Sequence, residues 1–244
     1  MSLAVKQEPN WAGIYKLGGV AALGAVLVGL LESMIQYLPG SNISLETVLD
    51  WFMLFQYNPF MGLRNLGLLN ILLNILAILT YFALYAAHKE NRNQPYAALA
   101  MIISYLGIGV FFATNRAFPM LGLSNQYAAA TTDAQRAMLE AAGQSMLSVG
   151  ASHTPGTFLG FLLSDVAGIM ISVVMLQSNI FSKVNGYAGV LGFSILLVIE
   201  NFSTFSGLSA VLMILFMASG LLSMLWYILI ARKLFQLVRS SSAE

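Results

Sequence analysis

From the N-terminus the chain is a succession of long apolar runs separated by a few short polar stretches. Six runs, at residues 12–33, 66–87, 96–114, 156–177, 187–202 and 208–231, consist almost wholly of Leu, Ile, Val, Phe, Ala, Met and Gly. A hydrocarbon core about 30 Å thick is crossed by roughly 20 helical residues, so runs of this length read as transmembrane helices. The run at 187–202 is the shortest, and a tight turn, STFSG, follows it. The first run is too long for the apolar part of a signal sequence. The segment LLESMIQYLPG after it has no small-x-small cleavage site, so the run is read as an anchor. The pattern predicts an all-α polytopic membrane protein of six transmembrane helices, forming one membrane domain over residues 1–244.

The two longest interruptions, about 34–65 and 115–155, carry helical patterns of their own. In the first, Ser44 precedes LETVLDWFMLF, where Leu45, Val48, Leu49 and Phe52 share one face and Glu46, Thr47 and Asp50 another. A helix this short, ending before Asn58-Pro59, is read as amphipathic and lying at the membrane interface. In the second, Thr132 is followed three residues later by Gln135, the spacing of a capping box, and Asp133 sits where the helix dipole favours a negative charge. Ala134, Met138, Ala141, Ala142 and Met146 make the apolar stripe of that helix. Together with the preceding LSNQYAAA it is expected to pack over the bundle as a lid.

The string NRAFPMLGLSNQYAAATTDAQRAMLEAAG, at residues 115–143 of a six-span chain of this length, resembles a family of uncharacterised bacterial integral membrane proteins, a domain-of-unknown-function family. The likeness extends in outline over nearly the whole chain, and the first loop diverges most. It implies a bacterial inner-membrane protein with six helices, and it transfers no activity.

Composition sharpens the membrane reading. Hydrophobic residues make up 58% of the chain and charged residues only 9%, against about 25% charged in a soluble domain. The mean hydropathy is +0.78. A net charge of +1 excludes an electrostatic nucleic-acid binder, which needs clustered Lys and Arg. With no cysteine there is no disulfide, thiolate metal site or Cys nucleophile. Lys and Arg are unevenly distributed. Lys6, Lys16, Lys89, Arg92, Lys183, Arg232, Lys233 and Arg239 fall on the side of the termini, and Arg64, Arg116 and Arg136 on the other. The positive-inside rule then places both termini in the cytoplasm and the two long loops outside. The expected location is the bacterial cytoplasmic (inner) membrane, with the lipid bilayer as the first partner.

Small residues recur along two faces. Gly156, Gly160, Ser164, Gly168 and Ser172 follow one another at spacing four, a ridge that lets helix backbones approach closely in lipid. It serves internal packing, or a partner helix or second copy docking through Gly156, Gly160, Ser164 and Gly168. Ala21, Ala25 and Gly29 in the first run, and Gly186, Gly189 and Gly192 at the start of the fifth, have the same character. The second run bears a polar and aromatic stripe. Asn70, Asn74, Ala77, Tyr81, Tyr85 and His88 lie within about 60° of one line at 100° per residue. This face should look into the bundle, as a set of interhelical hydrogen bonds or as the wall of a polar cavity.

Ionisable residues at membrane depth are functional candidates, because each costs at least ~2.5 kcal/mol at the bilayer centre. Asp165 is the deepest, and Asn74 or Tyr105 is its expected hydrogen-bond partner. Glu200 lies in the outer half of the fifth run and Glu32 at the outer end of the first. Arg64 and Arg116 stand at outer helix ends, with His153 just before the fourth run. Arg116 is the expected partner of Glu200. Two functions remain open: a small-molecule binding or transport protein with an outward-facing pocket built from Asp165, Glu200, Arg116, Asn70, Asn74, Glu32, Arg64 and His153, or a non-catalytic scaffold or partner subunit. Catalysis has weak support. His88 and His153 are expected on opposite membrane sides and cannot share a metal, SGLSA lacks the last glycine of a nucleophile elbow, and no H-E-x-x-H pair or dinucleotide fingerprint is present. No metal or cofactor is expected.

Overall fold

The computed structural model describes residues 11–35, 45–150, 154–207 and 209–241. In chain order these form α1 (Trp11–Ile35), α2 (Val48–Tyr57), α3 (Pro59–Asn65), α4 (Leu68–Ala87), α5 (Gln94–Thr114), α6 (Ala117–Ala129), α7 (Asp133–Leu147), α8 (Phe158–Gln177), α9 (Lys183–Ser206) and α10 (Ala210–Ser241). Six long apolar spans, at α1, α4, α5, α8, α9 and α10, can cross a membrane. The short fifth run proves to be the middle of a longer helix. Ser182 caps α9 by accepting from the Asn185 amide at 3.2 Å, and Gly207 ends it with φ 79°, a left-handed conformation that glycine adopts without strain. The last span also continues past 231, as far as Ser241.

The spans pack as a ring in the order α1, α4, α5, α8, α9, α10, and α10 closes back on α1. Small residues set these contacts. Gly18 lies against Ala83 of α4 and Leu234 of α10, and Gly29 against Met224. Gly107 of α5 meets the Gly160 carbonyl and Ser164 of α8, where an added Cβ would sit 3.0 Å from each. Gly168 receives the Phe193 ring, Gly189 lies between Ser172 and Trp226, and Gly192 faces Leu222. The α8 ridge is thus occupied within the chain. Gly160 and Ser164 serve α5, Gly168 and Ser172 serve α9, and Gly156 abuts the Val149 backbone.

The ring is tightly filled only in the half that holds the start of α1 and the end of α10. There Tyr81, Leu84, Ala97, Ala100, Ile171, Met175, Ile230 and Leu234 are buried around Trp226. The indole packs edge-on against Phe193 at 5.1 Å and Tyr227 at 4.9 Å. In the other half no residue of α4 from Leu68 to Leu79, and none of α10 from Ala210 to Ala218, is buried. Stretches that long point in every direction around a helix. Their inward sides are therefore accessible too, and the ring is open at this end.

At this end α2, α3, α6 and α7 pack on one another as a separate layer that meets the ring through α3 and α4. It has its own core of Val48, Phe52, Phe55, Leu66, Ala117 and Met120. On α2, Val48, Phe52 and Phe55 face protein in this layer, whereas Leu49, Met53 and Tyr57 are exposed. The helix also starts later than LETVLDWFMLF implies. Thr47 caps it by accepting from the Asp50 amide at 3.2 Å, and Asp50 accepts from the Thr47 amide at 2.8 Å. Ser44 lies outside the described residues. The Thr132–Gln135 box starts α7 as expected. Its packing face, however, is not the expected stripe. Ala134, Met138, Ala141 and Ala142 are exposed, and Leu139 and Gly143 are buried. An added Cβ on Gly143 would lie 2.7 Å from Val48 and 2.9 Å from Phe52. The missing side chain makes the notch into which α2 fits, so close approach decides the orientation of α7.

Candidate functional site

Asp165 and Glu200 stand on neighbouring antiparallel helices, α8 and α9. Asp165 is about 10 Å from the start of α8 and Glu200 about 9 Å from the end of α9, at 1.5 Å per residue. Antiparallel packing of the two helices through Gly168–Phe193 and Ser172–Gly189 sets Asp165 level with Leu196, so Glu200 lies about one turn, ~6 Å, nearer the end of α9. Both carboxyl groups are buried, Asp165 at 7% and Glu200 at 1% exposure. They are close enough to interact electrostatically, and Tyr81 from α4 interacts with Asp165 in the same way. Thr204, one turn beyond Glu200, donates to its Oε1 at 3.2 Å. Among the described residues Asp165 has no ion pair with Lys or Arg.

The expected partners of Asp165 are engaged elsewhere. The Tyr105 hydroxyl donates to the Ile78 carbonyl at 2.9 Å, and the Asn74 amide donates to the Asn70 carbonyl at 2.8 Å. Both bonds stabilise helix backbone at the open end of the ring. The stripe on α4 divides accordingly. Tyr81 and His88 are buried in the packed half, whereas Asn70 and Asn74 are partly exposed in the open half. His88 bridges helices: its Nδ1 lies 2.8 Å from the Leu84 carbonyl and its Nε2 3.2 Å from the Ser178 hydroxyl. The ring stacks on Phe181 at 5.5 Å.

Arg116 does not reach Glu200. It precedes α6 and donates through Nη1 to the Leu147 carbonyl at 2.7 Å, so it caps the C-terminus of α7 and ties the two halves of the lid together. An ion pair between elements at this end joins Arg64 and Glu32 instead, at 3.2 Å. Arg64 also donates to Asn65 Oδ1 at 3.0 Å. The pair fastens α1 to α3, and Glu32 Oε2 and Arg64 Nε are both buried without a hydrogen-bond partner. His153 lies outside the described residues. Of the eight candidates, the structure thus brings Asp165 and Glu200 together, pairs Glu32 with Arg64, leaves Asn70 and Asn74 on the open wall and assigns Arg116 to the lid. No group of three His, Asp or Glu able to hold a metal occurs among the described residues.

Sequence reasoning placed no weight on Tyr81 as a neighbour of Asp165, although its place on the α4 stripe was the signal. It also missed the Arg64–Glu32 pair, because the intervening chain gives no register between α1 and α3.

The fold and these side chains define a six-helix polytopic membrane protein with a helical cap and a buried carboxyl pair. Comparison with protein-family models, curated proteins and solved structures gives no match to this chain.

Proposed function

We propose that the protein binds or transports a small molecule through a polar pocket beneath the cap, with Asp165 and Glu200 as the proton- or ligand-binding groups. The reading is carried by one observation: Asp165 is buried within electrostatic range of a second buried carboxyl, Glu200, and has no Lys or Arg ion pair among the described residues. Two interacting carboxyl groups in low dielectric are costly as a pair of anions. A bound proton or a cationic ligand group removes that cost. The open half of the ring supplies a route to them, with Asn70 and Asn74 on its wall and the cap above. The charge bias supports termini in the cytoplasm and a pocket facing outward, in a bacterial cytoplasmic membrane. The resemblance at residues 115–143 supports the same setting.

The test is native mass spectrometry of gently solubilised wild type, Asp165→Asn and Glu200→Gln, each checked for folding by size exclusion. A defined small adduct on the wild type that both folded variants lose supports the pocket. A bare chain in all three samples, or one adduct carried equally by all, overturns it in favour of a scaffold.

A further inference from the structure

A cavity lies at the opposite end of the ring from the cap, among α8, α9 and α10. It holds about 360 Å³ and is lined by Asn179–Ser182, Asn185, Leu229, Arg232, Lys233 and Gln236. Leu229, Arg232, Lys233 and Gln236 stand at i, i+3, i+4 and i+7, so one face of α10 presents both cations and an amide to it. The other wall is the N-terminus of the 24-residue helix α9, whose first amides carry partial positive charge. Asn185 lines the cavity at 1% exposure, and its Oδ1 has no hydrogen-bond partner. A buried polar atom left this way costs free energy until a ligand or water satisfies it.

We propose that this cavity binds a phosphate ester bearing a hydroxyl group, as in the headgroup of an anionic glycerophospholipid. Arg232 and Lys233 meet the phosphate oxygens, Arg232 through its planar fork of donors. The hydroxyl donates to Asn185 Oδ1. The setting favours an anion. Lys16, Lys89, Arg92, Lys183 and Arg239 surround this end of the ring, against Glu90 as the acid among the described residues. The cavity also sits where α10 emerges from its apolar span, at the level of lipid headgroups. This site shares no residue with the carboxyl pair and stands independently of the pocket proposed above.

The experiment measures retention of phosphatidylglycerol against phosphatidylcholine by native mass spectrometry after titration into the delipidated protein. The wild type should hold one phosphatidylglycerol in preference to phosphatidylcholine. Arg232→Gln/Lys233→Gln should lose about thirtyfold in affinity, the factor for two basic groups at an anionic lipid surface. Lys16→Gln/Arg92→Gln removes the same charge outside the cavity and should retain binding. Equal loss in both double variants, or equal retention of the two lipids by the wild type, overturns the proposal. Glycerol 3-phosphate added as competitor separates the sources. Displacement of the lipid supports the phosphate site and assigns it to a soluble ester, and persistence of the lipid supports it as a headgroup site.

Discussion

Replacing Gly143 by Leu should detach α7 from the cap while leaving the ring intact. A Cβ at this position would already lie 2.7 Å from Val48 Cγ1 and 2.9 Å from Phe52 Cζ, and neither neighbour has room to retreat, at 7% and 2% exposure. Forcing a larger group into a packed site costs about 3 kcal/mol at the upper end of the usual range. Removing a helical glycine returns about 1 kcal/mol of propensity. The net penalty of about 2 kcal/mol shifts docking by about thirtyfold. Few contacts resist it: α7 buries Leu139 and Gly143, packs Met146 and Leu147 partly against the core of the cap, and is held by the Arg116–Leu147 and Tyr127–Glu140 hydrogen bonds. An isolated helix of 15 residues is marginal in water, so undocking should unravel it. Hydrogen–deuterium exchange of the protein in nanodiscs should show amides of α7 exchanging about thirtyfold faster, with those of α8 and α9 unchanged. Ala142→Leu, on the exposed face, provides the control. If both variants exchange alike, or if acceleration spreads into α8, the notch does not hold the lid.

Three further outcomes follow from the packing. Arg64→Ala should lower stability by about 2 kcal/mol, since it leaves the half-buried Glu32 carboxyl without its partner, and Arg64→Ala/Glu32→Gln should recover part of that loss in a thermal-shift assay. His88, at the end of α4, has its imidazole pushed below the ordinary value by burial. Its neutral form is the one the fold accommodates, so its contribution is complete above about pH 6.5 and is lost as pH falls through the folded value. Thermal melts should therefore show a loss of stability on acidification that is smaller in His88→Gln. At Gly189, wedged between Ser172 and Trp226, substitution by Val should abolish the monodisperse peak in size exclusion, whereas Val at the nearby Gly220, which has open space around it, should not.

The sequence alone determined the number of spans and the class of fold, because transfer from water to lipid depends on local composition and needs no tertiary partner. Start signals were legible for the same reason: the Thr132–Gln135 box acts within one turn. Glycines at spacing four correctly marked where backbones meet, though not that α5 and α9 share the ridge on α8. What the tertiary structure decided was every pairing. Arg116 and Glu200 both stand toward the capped end, yet Arg116 is taken by the end of α7, and it is Arg64 that meets Glu32. Ala134, Met138, Ala141 and Ala142 of the apolar stripe of α7 are exposed, and Met146 alone of that stripe packs on the cap, because the absent side chain of Gly143 permits closer contact than any methyl-bearing residue could. The contrast between a packed half-ring and an open one is likewise invisible in hydropathy, which rates a residue facing lipid and one facing an interior opening alike. Depth in the membrane is a property of a segment and can be read along the chain. Which side chains meet at that depth depends on helix order and rotation, and those are set by contacts between residues far apart in sequence.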